Sequence, residues 1–263
     1  MQNIEDKQKK EIWQVSIIEE VNVEKPILLE GLPGVGNVGK IVVDYLIEEF
    51  KAKKIMSFFS YTLPNSVFVK EDNKVELPKI EIYHKKIKGK DYFFLTGDVQ
   101  PVTEKGSYTF SEKILELMQE RNCQKIITLG GIGLSDEPKN PTVYCTGNSD
   151  EIIKILKKGG ANNDLYGLVG PIIGITGLLI GLSEGKGIPS AALLTETKGH
   201  PIKLGMKAAN KSLEVLNNSL EMGLDMQDLE EKIKEMRESM NGEKNKNKEK
   251  LKKKRINETT YIG

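Results

Sequence analysis

The stretch GLPGVGNVGK, Gly31–Lys40, carries the spacing of two nucleotide-binding motifs at once. Gly34, Gly36 and Gly39 fit the G-x-G-x-x-G pattern, in which glycines let a pyrophosphate approach the backbone at the start of a helix. Residues 34–40 also fit G-x-x-x-x-G-K, in which backbone N–H groups and a lysine hold the phosphates of a nucleoside triphosphate. Each motif also requires a particular residue type after these glycines.

The residues that follow these glycines fit neither motif. A phosphate-binding loop has Ser or Thr after its lysine to hold Mg²⁺, and Ile41 takes that place here. A dinucleotide fold has an acidic residue at the end of the next strand, and SFFSYTLP (residues 57–64) contains none. We therefore predict that the three glycines let a helix pack closely on a strand, and we expect no cofactor.

A second set of glycines lies in the most apolar run of the chain, Leu168–Leu182. Gly170, Gly174, Gly177 and Gly181 are three or four residues apart, a spacing that places them on one side of a helix. Fifteen residues are too few to span a bilayer, so this run predicts a buried core helix and no membrane partner. A small-anion site at the N-terminus of this helix is the alternative.

The other side chains that could do chemistry are scattered along the chain. His84 and His200 have no partner at a metal-ligand spacing, and Cys123 and Cys145 lie far apart without a C-x-x-C motif. Three acidic residues that follow or end predicted strands are interpreted as loop or capping groups: Asp98, Asp136 and Glu196. Motifs such as G-x-S-x-G and H-E-x-x-H are absent from the sequence. We predict no catalytic residues, no metal site and no enzymatic activity.

Apolar runs of strand length alternate with helical patterns along most of the chain. The predicted strands are Lys25–Gly31, Lys53–Ser60, Ser66–Glu71, Lys79–Ile87, Asp91–Gly97, Gln124–Gly133 and Ile188–Glu196. The predicted helices, besides the apolar run, are Asn37–Phe50, Ser107–Arg121, Asp150–Lys158 and Leu204–Leu220. This order predicts a three-layer α/β/α sandwich with a mostly parallel sheet and an antiparallel excursion, followed by a C-terminal helix and a flexible tail.

Residues 225–240 repeat apolar side chains at intervals of three and four. The members of this heptad seam are Met226, Leu229, Ile233, Met236 and Met240. The seam predicts an amphipathic helix that packs either on its own domain or on another subunit. Beyond it, Asn241–Arg255 contains eight Lys or Arg against two Glu. We therefore predict one domain over residues 1–240 and a basic, disordered tail over residues 241–263.

The composition and the charge limit the functions that this protein can have. The net charge is only +1 and aromatic residues make up 6%, which argues against a nucleic-acid-binding body, although the lysine-rich tail keeps that function as an alternative. The first residues, MQNIEDKQKKEIWQV, are polar and do not form a signal-peptide pattern. Together with the sparse cysteines, this favours a cytoplasmic protein.

Four stretches in order resemble one known family. They are LLEGLPGVGNVGKIVVDYLIEEF, FFLTGDVQP, ITLGGIG and GLVGPIIGITGLLIGLSEGKGIPSAALLTET. Over about residues 12–240 the chain resembles the proteasome assembly chaperones, in their archaeal PbaA and PbaB branch. The resemblance implies an α/β/α sandwich, a homo-oligomer, no established catalytic activity, and proteasome 20S α-subunits or α-rings as partners.

Some archaeal members of this family dock on the α-subunits with a hydrophobic–Tyr–any motif at the end of the chain. The present sequence ends in Tyr261, Ile262 and Gly263, so its tyrosine lies one place earlier than in the motif. The resemblance implies that these three residues bind the partner. The rival function is that of a small-ligand-binding enzyme or sensor, with its site at the glycines of residues 34–39 and 170–177.

Overall fold

The computed structural model describes residues 12–70, 72–167, 170–199 and 204–225. The chain divides into two units, Met1–Met222 and Gly223–Gly263, and the sheet and helices below belong to the first. The boundary predicted at residue 240, the seam helix and the tail lie outside the described residues. Within the described residues, no helix is both long enough and apolar enough to cross a membrane.

The described residues form ten strands and five α-helices. The strands are β1 Gln14–Ile17, β2 Ile27–Glu30, β3 Lys53–Phe59, β4 Phe68–Val69, β5 Val75–Glu76, β6 Ile80–Ile87, β7 Lys90–Gly97, β8 Lys125–Leu134, β9 Val143–Gly147 and β10 Ser190–Lys198. The helices are α1 Val38–Glu49, α2 Glu104–Glu120, α3 Asp150–Lys158, α4 Ile175–Ser183 and α5 Met206–Leu220.

Eight strands form one mixed sheet in the order β1-β3-β6-β7-β2-β8-β10-β9, and β4 pairs with β5 in a separate hairpin. The four neighbours β7, β2, β8 and β10 run parallel. The pairings of β1, β3 and β6 on one side, and of β9 on the other, are antiparallel. The antiparallel part is therefore larger than the single excursion that the sequence predicts.

Helices cover both faces of this sheet, which confirms the predicted α/β/α sandwich. On one face α2 packs against α4, and on the other α5 packs against both α1 and α3. The core under α2 is rich in aromatic rings: Phe110 contacts Trp13 at a centroid distance of 4.5 Å and Phe58 at 5.5 Å. Thr103 is the N-cap residue of α2, and its hydroxyl accepts the Gly106 N–H at 3.0 Å.

The sheet changes its direction of winding between β2 and β8. After β2 the chain crosses through α1 to β3, towards one edge, whereas after β8 it continues to β9 and β10, towards the other. Strand β2 ends at Glu30, opposite Thr128, while β8 continues to Leu134 beside β10 alone. A crevice therefore opens at the carboxyl ends of these strands, where open α/β sheets bind their ligands.

The predicted helix over Leu168–Leu182 is wrong over residues 170–174. Helix α4 begins only at Ile175, so Gly170 and Gly174 precede it and only Gly177 and Gly181 lie within it. Proline at position 171 disfavours a helical conformation at Gly170. Gly174 has φ +84°, outside the right-handed helical region. The glycines therefore do not line one side of a single helix.

Candidate functional site

A cavity of about 390 Å³ lies at the crevice between β2 and β8. Its walls come from the loop after β2, the carboxyl half of β8, the segment before α4 together with Thr176, and the side chains of Gln100 and Leu194. The described lining residues are glycine, aliphatic residues, one proline, one glutamine and one threonine, with no charged side chain among them. The cavity is thus an uncharged site of small-molecule size.

Glycines hold the first wall of this cavity close to the sheet. A Cβ on Gly39 would overlap the carbonyl oxygen of Leu129, and one on Gly31 would overlap the carbonyl oxygen of Gly39. Gly36 has φ +61°, and a Cβ there would lie 2.9 Å from the side chain of Thr197. Gly34 is different, because the nearest atoms to its Cβ position are 4.0 Å away.

The glycines before and in α4 also differ in their surroundings. A Cβ on Gly177 would overlap the carbonyl oxygen of Ile172, which folds back over the first turn of the helix. A Cβ on Gly174 would lie 2.8 Å from Oε1 of Gln100, whereas a Cβ on Gly170 would have no atom within 4 Å. Glycine is favoured at position 174 by its positive φ and the nearby Gln100 side chain, and at position 177 by the nearby backbone of Ile172. Neither reason applies at position 170.

Glu30, the last residue of β2, is a fully buried carboxyl group directly behind this cavity. Its Oε1 accepts the Leu32 N–H at 2.9 Å, and its Oε2 accepts the hydroxyl of Thr176, a lining residue, at 3.2 Å. Burial raises the pKa of Glu30 to about 7, although these two hydrogen bonds act in the opposite direction. Glu30 is not among the site residues that the sequence predicts. The available signal was an acidic residue that ends an otherwise apolar strand, ILLE.

Gln100 joins two walls of the cavity. Its Nε2 donates to the carbonyl oxygen of Pro33 in the glycine loop, and its Oε1 accepts the Ile175 N–H at 3.3 Å at the start of α4. The hydroxyl of Thr128 in β8 donates to the carbonyl oxygen of Thr176 at 3.1 Å. These side chains fix the positions of the loop, the strand and the helix relative to one another.

Lys40, the lysine of the phosphate-loop pattern, is not among the residues that line the cavity. Its ammonium group pairs with Asp44 one turn later on α1, at 2.8 Å. Asp44 in turn accepts the hydroxyl of Thr96 at 2.6 Å. The ammonium group of Lys40 is therefore paired with a carboxylate on its own helix. A lysine that binds phosphates would instead point into the phosphate site.

The family is shown by comparison with known proteins. The PAC2 family model matches residues 28–243 of the chain. The chain belongs to the PAC2 family. A Methanocaldococcus jannaschii relative, uncharacterized protein MJ1210, is 32% identical over 214 residues, which are 81% of each chain. This confirms the family resemblance inferred from the four sequence stretches.

Two solved structures from Pyrococcus furiosus have this PAC2 fold. PbaB, described as an archaeal proteasome activator, is 29% identical with a TM-score of 0.76, covering 89% of this chain and 99% of PbaB. PbaA, described as an archaeal homolog of proteasome-assembly chaperone, is 26% identical with a TM-score of 0.70, covering 86% of this chain and 95% of PbaA. The PbaA and PbaB branch is thereby confirmed.

Elsewhere in this PAC2 chain the reactive side chains have structural partners. His84 lies on β6, and its Nε2 is 2.9 Å from Oδ1 of the buried Asp91 on the neighbouring strand β7. Cys123 is buried, and burial raises the pKa of its thiol to about 11. Glu196 accepts the Thr142 N–H at 2.9 Å. The described residues contain no cluster of three side chains suited to a metal ion.

Several predicted site residues cannot be placed in this fold. His200, the seam residues Met226, Leu229, Ile233 and Met236, and the tail residues Tyr261, Ile262 and Gly263 lie outside the described residues. Their roles remain predictions from the sequence and from the family resemblance.

Proposed function

We propose that this protein is a chaperone or adaptor, and not an enzyme, that binds the α-subunits or α-rings of the proteasome 20S core in the cytoplasm. The observation that carries the proposal is the likeness to the proteasome activator PbaB, at 29% identity and a TM-score of 0.76 over 89% of the chain. PbaA, at 26% identity, is described as an archaeal homolog of proteasome-assembly chaperone.

An apolar hairpin on the surface supports a role in protein binding. Strands β4 and β5 form a two-stranded sheet of their own. Val69 and Val75, which pair across it, are 70% and 66% exposed, and Phe68 is 45% exposed. An isolated hairpin is only marginally stable in water, and clustered apolar side chains at a surface are typical of protein-binding sites.

The rival function, a small-ligand-binding enzyme or sensor, is favoured by one observation, the cavity beside the buried carboxyl group of Glu30. The partners of that carboxyl group are the Leu32 N–H and the Thr176 hydroxyl. Nucleophilic catalysis would need a nucleophile and a base positioned by a third group, and the described lining residues supply no such set. A non-enzymatic function therefore agrees better with this site.

Binding to immobilised α-rings, measured by surface plasmon resonance, tests the proposal. We expect the full chain to bind, and we expect deletion of Thr260–Gly263 to reduce binding while the circular-dichroism spectrum is unchanged. Tyr261→Ala should act in the same direction, because an aromatic ring is the strongest candidate anchor in the tail. Raising the salt concentration should weaken binding, since the tail is rich in lysine.

Tyr166→Ala is the matched control, because Tyr166 is a fully exposed tyrosine of the body and should be dispensable. Equal binding by the deletion variant would assign recognition to the body and reject the tail. A full chain that does not bind α-rings at any salt concentration would reject the proposed function itself.

The proposal includes a homo-oligomer held in part by the seam at residues 225–240. Replacing Ile233 and Met236 with lysine should shift the mass towards smaller species, because buried seam positions do not accommodate charge. The matched control is Gln227→Lys with Ser239→Lys, which adds the same two positive charges at positions that are not members of the seam. Light scattering measures the mass of each variant, and a seam variant with the same mass as the wild type would place the seam within its own subunit.

A further inference from the structure

The cavity between β2 and β8 has the position and size of a ligand site, independently of the proteasome partner. It lies at the point where the sheet reverses its winding and holds about 390 Å³, within the range of roughly 300–1,000 Å³ that is usual for small-molecule sites. Gly130 keeps it open, since a methyl group there would approach Leu194 to 3.0 Å and Thr176 to 3.6 Å.

Two lining side chains retain unused hydrogen-bonding capacity. A glutamine amide can donate two and accept two hydrogen bonds. In Gln100 each amide atom makes one hydrogen bond, to the glycine loop and to the start of α4. The Thr176 hydroxyl donates to Glu30, so its lone pairs remain able to accept. The Gln100 amide and the Thr176 hydroxyl can therefore form further hydrogen bonds, while their existing hydrogen bonds fix their positions.

The described residues that line the cavity offer an ionic ligand no counter-ion. The described lining residues include no Lys, Arg or His, so a phosphate or carboxylate would lose its water without gaining a counter-ion. The lining also contains no acidic residue, and Glu30 is separated from the cavity by Thr176, to which it is hydrogen-bonded. A cation therefore has no direct partner there.

The apolar part of the wall is aliphatic and reaches the surface. Leu32, Ile132, Ile172 and Leu194 line the interior, and Ile173, which is 85% exposed, also lines the cavity. Branched aliphatic walls of this kind favour an aliphatic group on the ligand.

We propose that this cavity binds a small uncharged ligand that combines an amide-like hydrogen-bonding group with a branched aliphatic group. The amide matches the donor and acceptor atoms of Gln100 and the acceptor of Thr176. The aliphatic group fills the space that Gly130 leaves free. Such a ligand is a single neutral residue of peptide-like chemistry rather than a nucleotide or an organic acid.

Titration of the ¹⁵N-labelled full chain with N-acetyl-leucinamide tests this proposal by NMR. We expect saturable shifts of the backbone amide signals of Gly130, Gly131 and Gly133. N-acetyl-leucine, an anion at neutral pH, and leucinamide, a cation, have the same side chain and should bind about tenfold more weakly or not at all. Absence of saturable shifts, or equal affinity for the charged analogues, would overturn the proposal.

Gly130→Ala should weaken binding by about tenfold, because it adds a methyl group inside the site. Gly181→Ala is the matched control, since no atom lies within 4 Å of its Cβ position and it does not line the cavity. If Gly130→Ala does not fold, Ile173→Ala replaces it, because Ile173 is exposed and its loss should lower affinity without affecting the core. Unchanged affinity in the folded variant contradicts a ligand in this cavity, whatever the result with α-rings.

Discussion

Replacing Glu30 with glutamine should abolish a loss of stability that the wild-type protein undergoes as the pH rises. Burial raises the pKa of Glu30 from 4.5 to about 7, so the folded protein holds the proton more tightly than the unfolded chain. Its stabilising contribution is complete below about pH 4.5, declines as the pH rises, and is gone above about pH 7. The total change corresponds to about 3 kcal/mol, at 1.36 kcal/mol for each pH unit.

The Gln variant carries no titratable group at this position, so its stability should not show that decline. At pH 8 we expect it to be more stable than the wild type by up to about 3 kcal/mol, less what its amide loses in matching the Leu32 N–H and the Thr176 hydroxyl. At pH 5 the difference should be small. Urea unfolding at pH 5, 6, 7 and 8 gives the free energy of unfolding for each protein.

Glu112→Gln is the control for this experiment, because Glu112 is exposed on α2 and its replacement changes the charge equally. Its pH profile should run parallel to that of the wild type. A difference between wild type and Glu30→Gln that stays constant from pH 5 to pH 8 would contradict the raised pKa.

Gly39→Ala should destabilise the protein strongly, whereas Gly34→Ala should have little effect. The new methyl group at position 39 would overlap the carbonyl oxygen of Leu129, which is backbone and cannot rotate away. Helix α1 must then shift from the sheet, at a cost of about 1–3 kcal/mol or more. At position 34 the nearest atoms are 4.0 Å away, so we expect a change within about 0.5 kcal/mol.

Thermal unfolding of the two alanine variants measures this contrast, and the same instrument tests the nucleotide alternative. ATP and NAD at millimolar concentration should leave the Tm unchanged, because the glycines pack against backbone and Lys40 pairs with Asp44. Equal Tm values for the two variants would refute the packing role of Gly39. A clear rise in Tm with either nucleotide would restore a nucleotide-binding role to the loop.

Local sequence patterns were sufficient for most of the elements. The apolar run ILLE became β2, the periodic residues of 37–50 became α1, and the runs at residues 79–87 and 91–97 became the β6–β7 hairpin. These elements follow from the alternation or periodicity of neighbouring residues, which depends only on the chain itself. The family was also correctly inferred, because four stretches in a fixed order carry more information than any one of them.

Local patterns failed where a glycine or a short strand depends on distant contacts. The start of α4 was predicted too early, because apolar composition around Gly170 and Gly174 suggested a helix that Pro171 and a positive φ at Gly174 prevent. Strand β9, five residues long, was missed. It is a strand because it pairs with β10, which follows it by more than forty residues.

The sequence by itself was sufficient to predict the three-layer α/β/α fold and the family. It also identified the glycines that are candidates for close packing of a helix on a strand. Only the tertiary structure decided the candidate site, because its polar groups come from distant parts of the chain. Glu30 accepts a hydrogen bond from Thr176, 146 residues later, and Gln100 reaches Ile175, 75 residues later. The order of the strands brings these segments to one end of the sheet, and burial there raises the pKa of the Glu30 carboxyl group.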